Sequence, residues 1–228
     1  MNKKTVYGLG VVILLALLAA CQSGVVPQPG TTSQVTVIMP SSSEPEAGFD
    51  PVFGWGAGEH VHEPLIQSTL TVTNQDLTIG YDLATSMEAS QDGLTWTVTL
   101  RDGVRFTDGT PLTAADVAFT YNTARDASSV TDFTMLDRAE ALDAATVVFH
   151  MKTPFSIWPY TMANVGIVPE HSYDSTSYGA NPIGSGRYML KQWDRGQQVI
   201  LQANPDYYGE RPQMEQVTIL FMEEDAAF

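Results

Sequence analysis

The stretch Ser90–Tyr121, SQDGLTWTVTLRDGVRFTDGTPLTAADVAFTY, decides the fold because its hydrophobic pattern changes from one structural period to another. Over residues 94–100 apolar residues alternate with threonines, and this period of two predicts a half-buried strand. Asp-Gly turns flank Val104–Phe106, which we interpret as a short second strand. Thr113 and Asp116 then form a capping-box-like helix start. Apolar residues follow at the spacing of one helical face, namely Ala114, Val117, Ala118 and Tyr121.

Alternating patterns outside this stretch predict more strands. Several short strands combined with a helix favour an α/β fold. In the hairpin that contains 146–151 we expect Val147 and Phe149 to face the core, while Val148 and His150 face the other way. The predicted segments are a first strand at Gln34–Met39, a hairpin of 140–142 with 146–151, and a hairpin of 188–193 with 198–202.

The opening stretch also carries a family resemblance. Residues 92–122, DGLTWTVTLRDGVRFTDGTPLTAADVAFTYN, resemble the signature region of family-5 extracellular solute-binding proteins. Members of this family are lipid-tethered or periplasmic receptors of ABC importers for peptides, nickel and opines. The resemblance extends from about residue 34 to the last residue, with further matches at 143–151, 167–171, 181–193 and 203–209.

The resemblance implies an α/β architecture like that of type II periplasmic binding proteins. In that architecture this chain is the first lobe with an inserted subdomain, and the second lobe is missing. The family captures a solute in the cleft between two lobes, closes by a hinge motion, and delivers the solute to the importer permease. Residues 34–228 are therefore expected to be the N-terminal part of a solute-binding domain, incomplete because it ends before the second lobe.

The N-terminus has the pattern of an export signal. Lys3 and Lys4 precede an apolar run over 6–18, which is shorter than the ~20 residues of a membrane-spanning helix but typical of a signal peptide. Leu18-Ala19-Ala20-Cys21 resembles a bacterial lipobox, which implies a signal peptide over 1–20 and a lipidated Cys21. The alternative is an ordinary signal peptide with an unrelated cysteine.

Residues 21–33 are rich in Gly, Pro and Ser, so we expect a flexible tether after the lipid. The protein is then exported and anchored to the membrane by lipid alone, in the periplasmic space or at the cell surface. The formal net charge of −15 argues against nucleic acid as a partner, since phosphates repel such a surface.

Several aromatic residues are candidate ligand contacts. The loop 53–58, FGWGAG, suits a close backbone approach to a ligand, with Phe53 and Trp55 beside it, although Trp55 could equally pack on the core. Phe133 lies near ligand-facing positions of a metal-chelate-binding relative. Trp158 and Tyr160 follow as cleft candidates in an aromatic segment for which core packing is the ordinary alternative.

A histidine pair suggests a second ligand class. His60 and His62 lie between two glutamates, and imidazole suits nickel, copper and zinc. The alternative is a solvated pair, because a metal site needs three or four ligands and the sequence indicates no third. Peptide is the first choice of ligand, since strand backbone pairs with an extended peptide whatever its side chains. A nickel chelate or an opine is the second choice.

Motifs of catalysis are missing from the sequence. Neither H-E-x-x-H nor G-x-S-x-G occurs, and Ile183 stands where a nucleophile elbow around Ser185 would need glycine. We therefore expect no enzyme activity and no cofactor. A metallohydrolase, and an adhesive or chaperone-like lipoprotein, are the alternatives of other classes, because a fold alone does not fix function.

Overall fold

The computed structural model describes residues 33–45, 48–53, 65–127 and 131–223. Within these ranges no helix is both long and apolar enough to cross a membrane. The strands are β1 (Gln34–Pro40), β2 (Thr71–Thr73), β3 (Ile79–Tyr81), β4 (Ala84–Ala89), β5 (Thr95–Leu100), β6 (Leu136–Ala141), β7 (Thr146–Met151), β8 (Tyr188–Asp194), β9 (Gln198–Ala203) and β10 (Gln216–Met222). The α-helices are α1 (Ala114–Ala127) and α2 (Trp158–Met162), and two short 3-10 turns lie at Ser41–Ser43 and Tyr178–Ala180.

The main sheet joins the beginning and the end of the described chain. Its order is β1-β10-β9-β8, with β1 parallel to β10 and the other neighbours antiparallel. One face carries an apolar cluster in which Phe49 and Ile66 pack against β9 and β10. The predicted first strand and the predicted β8–β9 hairpin are confirmed. The parallel pairing means that everything between β1 and β10 is one long connection.

The second sheet forms the inserted subdomain. Its order is β4-β5-β7-β6, and all its pairings are antiparallel. Val147 and Phe149 are fully buried, whereas His150 turns its ring to Glu140, with 3.4 Å between Nε2 and Oε2. This confirms the predicted orientation of Val147, Phe149 and His150, whereas Val148, predicted to face away from the core, is also buried at 8% exposed. The combination of two such sheets with helices confirms the α/β class.

Helix α1 packs its predicted apolar face on the subdomain sheet. Ala114, Val117, Ala118 and Tyr121 are all buried. The Asp116 carboxylate accepts a hydrogen bond from the Thr113 backbone N–H at 2.8 Å, so the capping interaction is confirmed. The same carboxylate accepts from the Glu170 N–H at 3.0 Å and thereby ties the helix start to a distant loop.

The short strand predicted at Val104–Phe106 is wrong. The described chain there contains only a single bridge, between Arg105 and Pro111. Val104 and Phe106 are nevertheless 2% exposed, so their alternation reflects burial in the core. A hydrogen bond from Phe106 N–H to the Thr110 carbonyl closes the turn and prevents a longer strand.

The turn Gly184–Gly186 holds two loops against the start of β8. The Gly186 N–H donates to the Ile66 carbonyl at 2.8 Å, and the Gly184 carbonyl accepts from the Thr107 N–H at 2.8 Å. A Cβ on Gly184 would lie 2.6 Å from the Ile66 carbonyl carbon, so only glycine fits. The turn thus fixes the start of β8 against the loop that precedes α1.

Candidate functional site

The strands of the parallel pair end together at one edge of the main sheet. Pro40 of β1 lies opposite Met222 of β10, and the chain continues from β1 through Ser41–Ser43 to Glu44. In open α/β sheets, ligands bind outside the carboxyl ends of parallel strands, where the chain connections diverge. This edge is therefore the candidate site.

Glu44 connects this edge to the tip of the β8–β9 hairpin. Its carboxylate accepts from the Trp193 indole N–H at 2.7 Å and from the Gly196 backbone N–H at 2.9 Å. The Arg195 guanidinium lies 4.2 Å above the Trp193 ring, and Phe49 contacts the same ring edge-on at 5.2 Å. These contacts hold an aromatic residue and a cation at the candidate site.

A buried carboxylate fixes the segment that leads to Phe53. Asp50 is 2% exposed and accepts from the Val52 N–H and from the Tyr173 hydroxyl, each at 2.9 Å. Burial raises the pKa of Asp50, despite those hydrogen bonds. Burial, together with the Asp50 charge, also raises the pKa of Tyr173. Phe53, three residues after Asp50, is 37% exposed, as a ligand contact requires.

The Asp50→Asn variant should change how stability depends on pH. A carboxyl group whose pKa is raised in the folded state holds its proton more tightly there than in the unfolded chain. As pH rises above about 4, the wild type should therefore lose stability relative to Asp50→Asn. This loss in the free energy of unfolding should stop once pH exceeds the pKa of Asp50 in the folded protein. Urea unfolding between acid and neutral pH measures it. A wild type that gains stability relative to Asp50→Asn as pH rises contradicts the assignment.

The other predicted contacts have different outcomes. Trp55, His60, His62 and Cys21 lie outside the described residues, so the aromatic wall, the metal pair and the lipid attachment stay predictions. Tyr160 is 42% exposed, and its hydroxyl donates to the Leu77 carbonyl at 2.9 Å.

Phe133 and Trp158 lie in the hydrophobic core. Phe133 is 5% exposed and Trp158 is fully buried. Their ring centroids lie 6.4 Å apart, and both rings pack on Tyr121. A side chain without exposed surface does not line a cleft, so burial argues against both residues as ligand contacts. Sequence could not separate the two roles, because aromatic side chains serve both.

Sequence reasoning missed Glu44, Trp193 and Arg195 as members of the site. Glu44 and Trp193 meet across 149 residues of chain, and no local motif marks such a contact. The one available signal was the turn Arg195-Gly196, which placed a cation at a hairpin tip.

Metal binding finds no further support in the described ranges. No group of three or more His, Cys, Asp or Glu side chains in them could hold an ion. His171 and Asp108 form only a pair, with 2.9 Å between Nε2 and Oδ2.

Comparison with known proteins identifies the family. Residues 78–228 match the model for bacterial extracellular solute-binding proteins, family 5 middle. Protein XP55 of Streptomyces lividans is 33% identical over 221 residues, which cover 92% of this chain and 40% of that protein.

Two solved structures show the fold. The oligopeptide-binding protein AppA from Bacillus subtilis, in complex with a nonapeptide, matches with a TM-score of 0.71 and 28% identity over 84% of this chain and 40% of its own. NikZ from Campylobacter jejuni, in complex with Ni(L-His), matches with a TM-score of 0.72 and 25% identity over 86% of this chain and 40% of its own. The chain thus spans about 40% of the length of these relatives. With about two thirds of its residues inside the family model, the chain belongs to the bacterial extracellular solute-binding proteins of family 5.

Proposed function

We propose that the protein captures peptides outside the cytoplasm and delivers them to an ABC importer by closing a cleft around them. The observation that carries this proposal is the likeness to AppA, whose structure holds a nonapeptide. The ligand would lie at the edge where β1 and β10 end. Peptide binding, cleft closure and delivery to a permease are proposals for this chain.

The geometry of that edge supports an extended ligand. Pro40 and Glu44, on either side of the turn that follows β1, both have extended backbone. Extended backbone groups can pair with a peptide without reading its side chains. Arg195 and Trp193 add a cation and a ring at the hairpin tip, which suit a peptide's carboxylate and apolar side chains.

A nickel chelate is the second candidate ligand. The observation in its favour is the likeness to NikZ, whose structure holds Ni(L-His). His60 and His62 would supply imidazoles, or would contact the chelate. An opine shares this second place as a ligand for the same importer type.

We propose neither catalysis nor adhesion as the main role. The family consists of solute-binding proteins, and a hydrolase would need a nucleophile with its base or a metal site with three ligands. The described residues contain no such metal cluster. Residues 1–20 are proposed as the signal peptide, Cys21 as the lipidated residue, 21–33 as the tether, and 34–228 as part of the solute-binding domain.

Lipid attachment and uptake are tested together in cells fed an alkyne fatty acid. We expect the protein to carry the label, Cys21→Ala to carry none, and the variant to leave the membrane fraction, because acyl chains supply the only proposed anchor.

Cells without the gene should import a labelled tripeptide more slowly, and the wild-type gene should restore uptake. Labelling of Cys21→Ala would contradict the lipid proposal, and undiminished uptake in the deletion strain would contradict the transport proposal.

A further inference from the structure

A groove runs along the outer side of strand β8. It has a volume of about 530 Å³ and lies between Asn181–Pro182 and the residues Leu190–Trp193, with Arg195 at one end. This volume falls in the range of small-molecule sites. We propose that this groove, which begins at the hairpin tip that Glu44 connects to the candidate site, binds a carboxylate group. The inference rests on the proposed function and deepens it by naming the ligand group that the groove recognises; peptide binding without a difference between acid and amide would overturn the inference alone.

The charge of the groove is opposite to that of the protein. The formal net charge of the chain is −15, yet Lys191 and Arg195 line the groove and no carboxylate does. Such a concentration of one sign in a concave surface raises the local concentration of counter-ions.

Arg195 is held in place without an acidic partner. Within the described ranges its guanidinium forms no ion pair or hydrogen bond, and its contact is the Trp193 ring at 4.2 Å. The nearest acids in the chain are used elsewhere. Asp194 accepts from the side-chain amides of Gln192 and Gln198 at 2.7 and 2.8 Å, and Glu44 accepts from Trp193 and the hairpin tip. Stacking on Trp193 therefore orients a guanidinium whose five donors stay available.

Lys191 also keeps its charge uncompensated. Its ammonium donates to the Gln216 side-chain oxygen at 3.2 Å, which is a neutral acceptor. An ammonium has three donors, so two remain after this contact. The pairing of β8 with β9 is irregular between Leu190 and Gln192, so Lys191 has no partner residue on β9. Lys191 lines the groove instead.

Backbone and amide groups add donors beside the two cations. The Tyr188 N–H points away from β9 and donates to the Leu65 carbonyl at 3.0 Å. The Asn181 side-chain amide, on the opposite wall, has no hydrogen bond to any other described residue.

These groups fit a carboxylate attached to an apolar body. Arg forks onto carboxylates with two parallel hydrogen bonds, and Lys191 can add a further charge-assisted contact. Leu190, Pro182 and Trp193 offer apolar surface to the rest of the ligand. The carboxylate can come from a free organic acid or from the C-terminus of a peptide, because both present the same group.

The test titrates the protein with N-acetyl-L-phenylalanine and with its neutral amide, and follows the Trp193 indole N–H resonance by NMR. Ala-Ala-Ala-Phe with a free or an amidated C-terminus is the peptide arm. We expect the acids to shift the resonance and the amides to bind at least ~10-fold more weakly, because only the acids carry the group that Arg recognises. Equal binding of acid and amide, or no shift with either acid, overturns the proposal. A response only to the free acid, or only to the peptide acid, supports it and names the source.

Variants assign the effect to the groove. Arg195→Gln and Lys191→Gln should each weaken binding of the acids by about 10-fold or more, because each removes one charge-assisted contact. Arg211→Gln is the matched control, since it removes the same charge from an exposed ion pair with Glu215 outside the groove. All three residues are exposed, and a thermal melt verifies folding of each variant. Equal weakening by Arg211→Gln, or full affinity in both groove variants, shows that the groove does not hold the carboxylate.

Discussion

Gly184→Ala should unfold the protein or leave it with most of its stability lost. The added methyl group would lie 2.6 Å from the Ile66 carbonyl carbon and even closer to the carbonyl oxygen. Both atoms belong to backbone, which has no other rotamer to adopt. The turn would have to move away and break the hydrogen bonds from Gly186 to Ile66 and from Thr107 to Gly184. We expect a loss above ~4 kcal/mol, from a total stability of about 5–15 kcal/mol.

Gly103→Ala is the control for this substitution. Gly103 has φ of 75°, and a Cβ there would meet nothing within 4 Å. The variant therefore carries only the cost of a left-handed backbone for alanine, about 1–2 kcal/mol. Urea unfolding followed by circular dichroism compares the two. A Gly184→Ala protein as stable as Gly103→Ala would show that the turn does not pack on residues 65–66 as described.

Trp158→Ala should have the second largest effect. The ring is fully buried and contacts Tyr121, Phe133 and Phe149 with centroid distances of 5.7, 6.4 and 5.3 Å. Removing it leaves a cavity that this cluster cannot fill, so we expect a loss of about 3–5 kcal/mol in the free energy of unfolding.

Trp158→Phe and Tyr160→Ala complete this experiment. The buried Trp158 indole N–H has no hydrogen-bond partner among the described residues, so phenylalanine keeps much of the packing and removes an unsatisfied donor. Tyr160 is 42% exposed, and its loss should cost far less than that of Trp158. If Trp158→Ala melts like Tyr160→Ala and loses ligand binding instead, Trp158 lines the cleft and its placement in the core is wrong.

The local parts of the fold were predictable from sequence. Helix α1 follows from the spacing of Val117 and Tyr121, and strand β5 from the alternation around Trp96 and Val98. The hairpins follow because their strands are close in the chain and their turns contain Asp or Gly. Val104–Phe106 shows the limit, since alternation indicates which side chains are buried but not whether a partner strand is within reach.

The candidate site was mostly beyond prediction, because distant segments build it. The parallel pairing of β1 with β10 joins residues about 180 positions apart, and nothing in either strand specifies the other. Asp50 and Tyr173 meet across 123 residues. Trp158 was ambiguous for a different reason, since its burial depends on what packs around it and not on its own side chain.

The most direct test of the account is a calorimetric titration of the protein, purified after expression from its complete gene. Tri- to pentapeptides of mixed sequence form one arm, and nickel with L-histidine forms the other. The account predicts heat from the peptides with a dissociation constant at or below about 10 µM, equivalent to about −7 kcal/mol, and little response to nickel-histidine. Tight binding of nickel-histidine with no response to any peptide would contradict peptide as the ligand.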